Sequence, residues 1–179
     1  MIGPYFSGGN CLDLFTGSGA MAIEAYSRGM DTIYLNDLNK DALKVAKDNC
    51  NSLKITDAKF YNLDYKEFCK TINVKMDLII LDPPYKMNDI KEILDVIFPL
   101  CSEDCVIVFE MAIDSPYVEY EVKELTEYVK DKGIKLTFIK IDSLDKAKNA
   151  PCIFNNWANF YKGKFISNTI LNANAFEKL

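Results

Sequence analysis

Three features of the sequence predict an α/β fold built on a mostly parallel sheet with helices on both faces. Short apolar segments alternate with amphipathic ones, and the links between them are only a few residues long. In one segment, "LIIL" at 78–81, four consecutive positions are apolar. A strand with that pattern can only be buried on both faces, as strands of parallel sheets are.

Each element follows from its local pattern. "NCLDLF" (10–15) reads as a first strand, followed by a Gly-rich turn and a helix over 18–28. "DTIYLND" (31–37) is the second strand. Residues 39–53 form a helix with Ala42, Leu43, Val45, Ala46 and Cys50 mostly on one side, and Asn39 is its expected N-cap. "AKFYNLD" (58–64) gives a third strand, with a short helix over 65–71. "KMDLIILD" (75–82) is the fourth. A helix carrying Ile90, Ile93, Leu94 and Ile97 on one face precedes Pro99, and "DCVIVFEM" (104–111) is the fifth strand. Beyond Pro116 a helix is expected over 119–131, broken at Gly133, then a strand over 134–141 and another over 157–166. No internal repeat or interdomain linker interrupts the chain, so one domain over 1–179 is expected.

Composition excludes several classes of function. There is no histidine, which removes His-based metal sites and Ser-His or Cys-His catalysis. The six cysteines are scattered and read as reduced structural thiols. Cys101 and Cys105 alone are close, and four apart they make a zinc pair only where two further ligands lie nearby. "MIGPYFSGGN" lacks the basic and apolar stretches of a signal peptide, and no run reaches the roughly 18–20 apolar residues of a membrane span. A cytoplasmic location with no membrane partner is expected. The net charge of −5 argues against a generic nucleic-acid binder. Its distribution is uneven: residues 1–120 carry 11 basic and 19 acidic side chains, whereas 121–164 carry 9 and 6. A surface that meets phosphate is better sought in the C-terminal third.

Four strand ends carry the chemistry. In "DLFTGSGAMAIEA" (13–25) the first strand ends at Asp13, and a turn holding Gly17 and Gly19 leads into a helix. Such a turn lets a ligand approach the backbone and the free N–H groups of a helix start. The third glycine of the dinucleotide fingerprint is missing, as is the Gly-Lys-Ser/Thr of a P-loop. Asp37 ends the second strand about twenty residues on, where an acid can take a ribose hydroxyl pair. Asp64 follows the third strand, placed either to accept from a purine amine or to cap the next helix. In "IILDPPYKM" (79–87), Asp82 follows the fourth strand, Pro83 and Pro84 stiffen the turn and leave carbonyls as acceptors, and Tyr85 offers a flat ring. Acceptors beside a stacking plane suit an amine on a nucleobase.

"DLFTGSG" followed by "ILDPPY" resembles the amino-methylating class I S-adenosylmethionine-dependent methyltransferases. "GPYFSGGNCLDLFTGSGAMAIEAYSRG", "LNDLNKDALKVAKDN" and "VIVFEM" are similar, more narrowly, to the RsmD-type enzymes, which methylate guanine N2 in 16S ribosomal RNA. The resemblance covers residues 1–112; residues 113–179 diverge. It implies a Rossmann-like fold with a seven-stranded central sheet, five parallel strands plus an antiparallel pair. It implies S-adenosylmethionine as cofactor, held by Asp13, Phe15, Gly17, Ser18, Gly19, Asp37, Leu38, Asp64 and Tyr65. Within that set Asp13, Gly17 and Gly19 would hold the methionine end, Asp37 the ribose and Asp64 the adenine amine. Asp82 and the Pro83 carbonyl would bind the target amine, with Pro84 completing the motif and Tyr85 stacked on the base. The implied partner is ribosomal RNA within a small-subunit particle, the implied state a monomer, and no metal is needed.

The same resemblance implies that the chain is shortened at its N-terminus, where the family carries a basic RNA-binding segment. Two other readings share these motifs. A DNA adenine-N6 methyltransferase uses nearly the same four-residue motif, and a non-catalytic cofactor-binding remnant would keep the glycine turn.

Overall fold

The computed structural model describes residues 5–84, 87, 90–109, 126–127, 130, 159–161 and 164–167. Five parallel strands alternate with helices: β1 (Asn10–Asp13), α1 (Ala20–Ser27), β2 (Thr32–Asn36), α2 (Lys40–Ser52), β3 (Ala58–Tyr61), α3 (Tyr65–Thr71), β4 (Met76–Leu81), α4 (Ile90–Ile97) and β5 (Cys101–Phe109). A single 3-10 turn, Phe98–Leu100, joins α4 to β5. The strand order is β3-β2-β1-β4-β5. The chain therefore builds outward from β1 on one side, then crosses back to place β4 on the other. In open sheets of this kind the crevice at that reversal, beyond the strand carboxyl ends, is where ligands bind.

Side-chain alternation along each strand divides the core into two layers. Leu12, Leu14, Tyr34, Ile79 and Leu81 face one way, packing with Tyr65, Phe68, Ile93, Leu94 and Ile97 of α3 and α4. Cys11, Ile33, Leu35, Leu78 and Ile80 face the other way, packing with Ala22 and Ala25 of α1 and Ala46 and Cys50 of α2. The four apolar residues of β4 serve both layers in turn, which explains their continuous run.

Boundaries differ from the sequence expectation where backbone chemistry intervenes. The first helix starts at Ala20 because Gly19 adopts a left-handed conformation, φ +81°. Asn39 caps α2 as expected, its Oδ1 accepting from Asp41 N at 2.9 Å and Ala42 N at 3.4 Å. β1 and β3 stop at Asp13 and Tyr61, short of the predicted 15 and 64. β5 begins earlier, at Cys101, with a register irregularity opposite Met76 and Leu78.

The strand expected over 157–166 is two strands. β6 (Asn159–Tyr161) and β7 (Lys164–Ser167) pair antiparallel, with Tyr161 opposite Lys164. The glycine at 163, a residue that hairpin turns favour, is the signal that a single-strand reading passes over. The two form a sheet of their own, so among the described residues the central sheet has five strands. The strand expected over 134–141 lies outside the described residues. Of the helix expected over 119–131, the described residues 126, 127 and 130 are helical. Among the described residues no helix is long and apolar enough to cross a membrane.

Candidate functional site

The carboxyl ends of β1, β2, β3 and β4 bring Asp13, Asp37, Asp64 and Asp82 to the same side of the sheet. Asp13 is only 2% exposed, and its Oδ2 has no hydrogen-bond partner. Burial pushes its carboxyl up to about 7. The nearby Thr16 hydroxyl and Ala22 backbone offset part of that rise without closing onto Oδ2, while Asp82 and Asp37 add to it. Thr16 Oγ1 is likewise buried and unpartnered. Orphaned buried polar atoms are rare in folded proteins. Two at the mouth of the β1–β4 crevice point to a ligand that brings its own hydrogen bonds.

The turn beside them is built around Asp37. Gly17 N–H donates to Asp37 Oδ2 at 2.8 Å, and Asn39 N–H donates to Oδ1 at 2.8 Å. The acid thus ties the glycine turn to the start of α2. Two bonds leave acceptor capacity on each oxygen, since a carboxylate offers about four lone-pair sites. Gly17 has φ +51°, and a Cβ placed on it would meet nothing within 4 Å. Gly19, by contrast, packs against Ala46 and Leu35. The first glycine faces open space and the second lets α2 approach. Ser18 is exposed, Phe15 is partly buried, and Leu38 stands 71% exposed as an apolar surface at the rim.

Asp64 fulfils the capping role: its Oδ1 accepts the Lys66 N–H at 2.9 Å at the start of α3. Tyr65 is buried, its ring 5.9 Å from Phe15 and its hydroxyl donating to Glu92. Its side chain therefore supports the crevice from below. Asp82 is exposed at the end of β4, with partial desolvation raising its pKa. Pro83 is buried and Pro84 exposed. Of the two proline carbonyls expected to be free, that of Pro84 accepts the Met87 N–H at 2.8 Å, closing a turn. Tyr85 lies outside the described residues.

Sequence reasoning passed over the residues that hold this site together. Asn36 is 1% exposed; its Nδ2 donates to Leu14 O and Leu63 O, and its Oδ1 accepts from Leu63 N. Asn62 Nδ2 donates to the carbonyls of Asp37 and Leu38 at 2.7 and 2.9 Å. These two amides lock the ends of β1, β2 and β3 together. The signal was an amide at a position where an apolar residue would otherwise be expected.

The crevice thus offers a cluster of carboxylates that among the described residues is not arranged to hold a metal ion, together with open space at a glycine. Comparison with known proteins supplies a context. The family described as "Conserved hypothetical protein 95" matches residues 1–141. The chain belongs to that family. Within it, the chain is 39% identical over 117 residues to the putative rRNA methyltransferase YlbH of Bacillus subtilis, covering 62% of this chain and 63% of that protein. It is 30% identical over 97 residues to the ribosomal RNA small subunit methyltransferase D of Buchnera aphidicola, covering 54% and 51%. The chain spans about half to two thirds of the length of these relatives. A solved structure of a putative methylase from Haemophilus influenzae superposes with a TM-score of 0.56 at 28% identity, over 63% of this chain and 74% of that one. The RsmD-type resemblance and the Rossmann-like class I methyltransferase fold expected from sequence are borne out. A second family, described as YoaP-like, matches residues 135–178, overlapping the first match at 135–141.

Proposed function

We propose that this chain is an S-adenosylmethionine-dependent methyltransferase acting on an exocyclic amine of a nucleobase, guanine N2 of small-subunit ribosomal RNA. The observation that carries the reading is a buried, unpartnered Asp13 Oδ2 in a crevice shared with Asp37 and Asp82. Burial and the neighbouring Asp82 and Asp37 carboxylates raise the pKa of Asp13, and a cation beside it would relieve that cost. The cofactor's ammonium and sulfonium are such cations, and open space at Gly17 leaves room for its body. The names of the relatives support the RNA target.

When bound, the cofactor supplies an electrophilic methyl group on a positively charged sulfur. Asp13 accepts from the ammonium, which satisfies Oδ2 and restores its charge. Asp37, already fixed by Gly17 and Asn39, offers its remaining lone pairs to ribose hydroxyls. Asp64 and the backbone after β3 receive the adenine amine, and Leu38 covers an apolar face. On the opposite wall, Asp82 and the Pro83 carbonyl accept the hydrogens of the target amine, turning its lone pair toward the crevice and stabilising the positive charge that develops on nitrogen. Positioning supplies much of the rate, because the electrophile is strong and the two partners are held face to face. Asp82, its pKa raised by partial burial, is suited to take the proton that the methylated amine loses. A guanine inside a helix has to be turned out to reach this cleft.

The test is calorimetric binding of S-adenosylmethionine, then transfer of tritiated methyl onto undermethylated small-subunit particles with the label mapped. Label on a guanine of the ribosomal RNA supports the reading. Label on DNA adenine favours the adenine-N6 alternative, binding without transfer favours a remnant, and no binding at millimolar cofactor ends the reading.

A further inference from the structure

The junction of α3 and α4 holds a polar cluster that the proposed reaction does not use. Glu92 lies in the first turn of α4. Its Oε2 accepts from the Tyr65 hydroxyl at 3.1 Å, and its Oε1 is paired with the Lys66 ammonium. Tyr65 and Lys66 are the first two residues of α3. Burial, reinforced by Glu92, raises the Tyr65 pKa and keeps the hydroxyl a donor. The same turn is anchored toward the cofactor side twice, by the Phe15–Tyr65 ring contact and by the Asp64 cap on Lys66 N.

This cluster constrains α4 in a way that its apolar face cannot. α4 buries Ile93, Leu94 and Ile97. Contacts of that kind are non-directional and tolerate small slides and rotations. Hydrogen bonds to Glu92 are directional, and they act at the end of α4 into which the chain runs after Asp82, Pro83 and Pro84. A misplacement of about 1 Å at a reacting group can cost on the order of 10²-fold in rate.

We propose that Glu92 is a positioning residue for methyl transfer. Through Tyr65 and Lys66 it registers the start of α4, and with it the turn carrying Asp82, against the Phe15–Asp64 side of the crevice. The proposal rests on the methyltransferase reading and extends it: the wall that holds cofactor and the wall that holds amine are set by one carboxylate bonded to Tyr65 and Lys66.

The test compares the full chain with Glu92→Ala, Glu92→Gln and Tyr65→Phe in melting temperature, cofactor affinity and single-turnover transfer at saturating cofactor. Glu92→Ala is expected to slow transfer about tenfold while affinity stays within about threefold. Glu92→Gln, whose amide oxygen still accepts from Tyr65, falls between Glu92→Ala and the parent. Tyr65→Phe slows transfer less than Glu92→Ala, and the double variant is no slower than Glu92→Ala, because both act on one contact. Hydrogen exchange gives a readout independent of turnover. Cofactor should slow exchange in a peptide covering residues 78–97 of the parent chain, and not in Glu92→Ala. A Glu92→Ala chain that transfers at the parent rate overturns the proposal, as does one whose rate falls only with its folded fraction. Should Glu92→Ala fail to fold, the same criteria applied to Tyr65→Phe and Glu92→Gln decide. If the parent chain neither binds cofactor nor transfers, the methyltransferase reading falls and this proposal with it.

Discussion

The two ends of the parallel sheet use the same parts, glycines beside carboxylates, to opposite effect. At the amino ends, Gly9 N–H donates to Asp31 Oδ2 and Asn10 N–H to Asp77 Oδ2, both at 2.9 Å, while Ser102 donates to Asp77 Oδ1. There is no room to spare: a Cβ on Gly9 would stand 2.7 Å from Asp77 Oδ2. At the carboxyl ends, Gly17 faces open space and Asp13 Oδ2 has no partner. Glycine beside acid is therefore ambiguous in itself. A turn that is complete has its acceptors filled and its glycine packed; a site has an acceptor waiting and a glycine facing nothing.

That contrast can be broken by experiment, most strongly at Asp13. Its carboxyl, raised by burial from 3.8 to about 7, holds a proton in the folded chain that the unfolded chain has lost. Its contribution is complete below pH 4 and falls away as pH rises toward 7, by on the order of 4 kcal/mol. Urea titrations of the ligand-free protein and of Asp13→Asn should show this as a difference that grows across that window. Cofactor should bind more tightly as pH rises to 7 and should release a proton, read from the buffer dependence of the binding enthalpy.

Asp82→Ala should lower single-turnover transfer by about 10²–10³-fold, the usual effect of removing one well-placed transition-state hydrogen bond, with cofactor affinity nearly unchanged. Gly9→Ala should cost about 2–3 kcal/mol in urea unfolding through overpacking against Asp77, and leave cofactor affinity of the folded fraction intact. Gly17→Ala should do the reverse. Its left-handed backbone costs about 1 kcal/mol, yet its Cβ enters the ligand space, so calorimetry should show affinity reduced more than stability. Equal effects of the two alanines on binding would remove the distinction between the two ends.

The sequence was most informative where a local pattern has one physical solution. Residues 78–81 read as a strand buried on both faces and Asn39 as a helix cap, and the structure has both. The alternation of elements made a parallel sheet, and the acids at strand ends marked the side on which chemistry would occur. It was less informative where the outcome depends on partners distant along the chain. The Pro84 carbonyl read as a free acceptor until Met87 was seen to use it. The bond from the Tyr65 hydroxyl to Glu92, 27 residues away, left no trace in the local pattern around either residue. The 157–166 stretch read as one strand, though two antiparallel strands, Asn159–Tyr161 and Lys164–Ser167, occupy it.

What the sequence determined by itself was the set of elements, their order and the residue types at the strand ends, because propensity, periodicity and turn chemistry act over a few neighbours. Only the tertiary structure decided which acceptors are spent and which are waiting. Asp31, Asp37, Asp77 and Asp13 are all acids at or near the end of a strand. Three of them are claimed by backbone N–H groups, and Asp13 Oδ2 is claimed by none. That difference exists only once the sheet has brought β1 beside β4, since burial and hydrogen-bond satisfaction are properties of packed neighbours and not of residues.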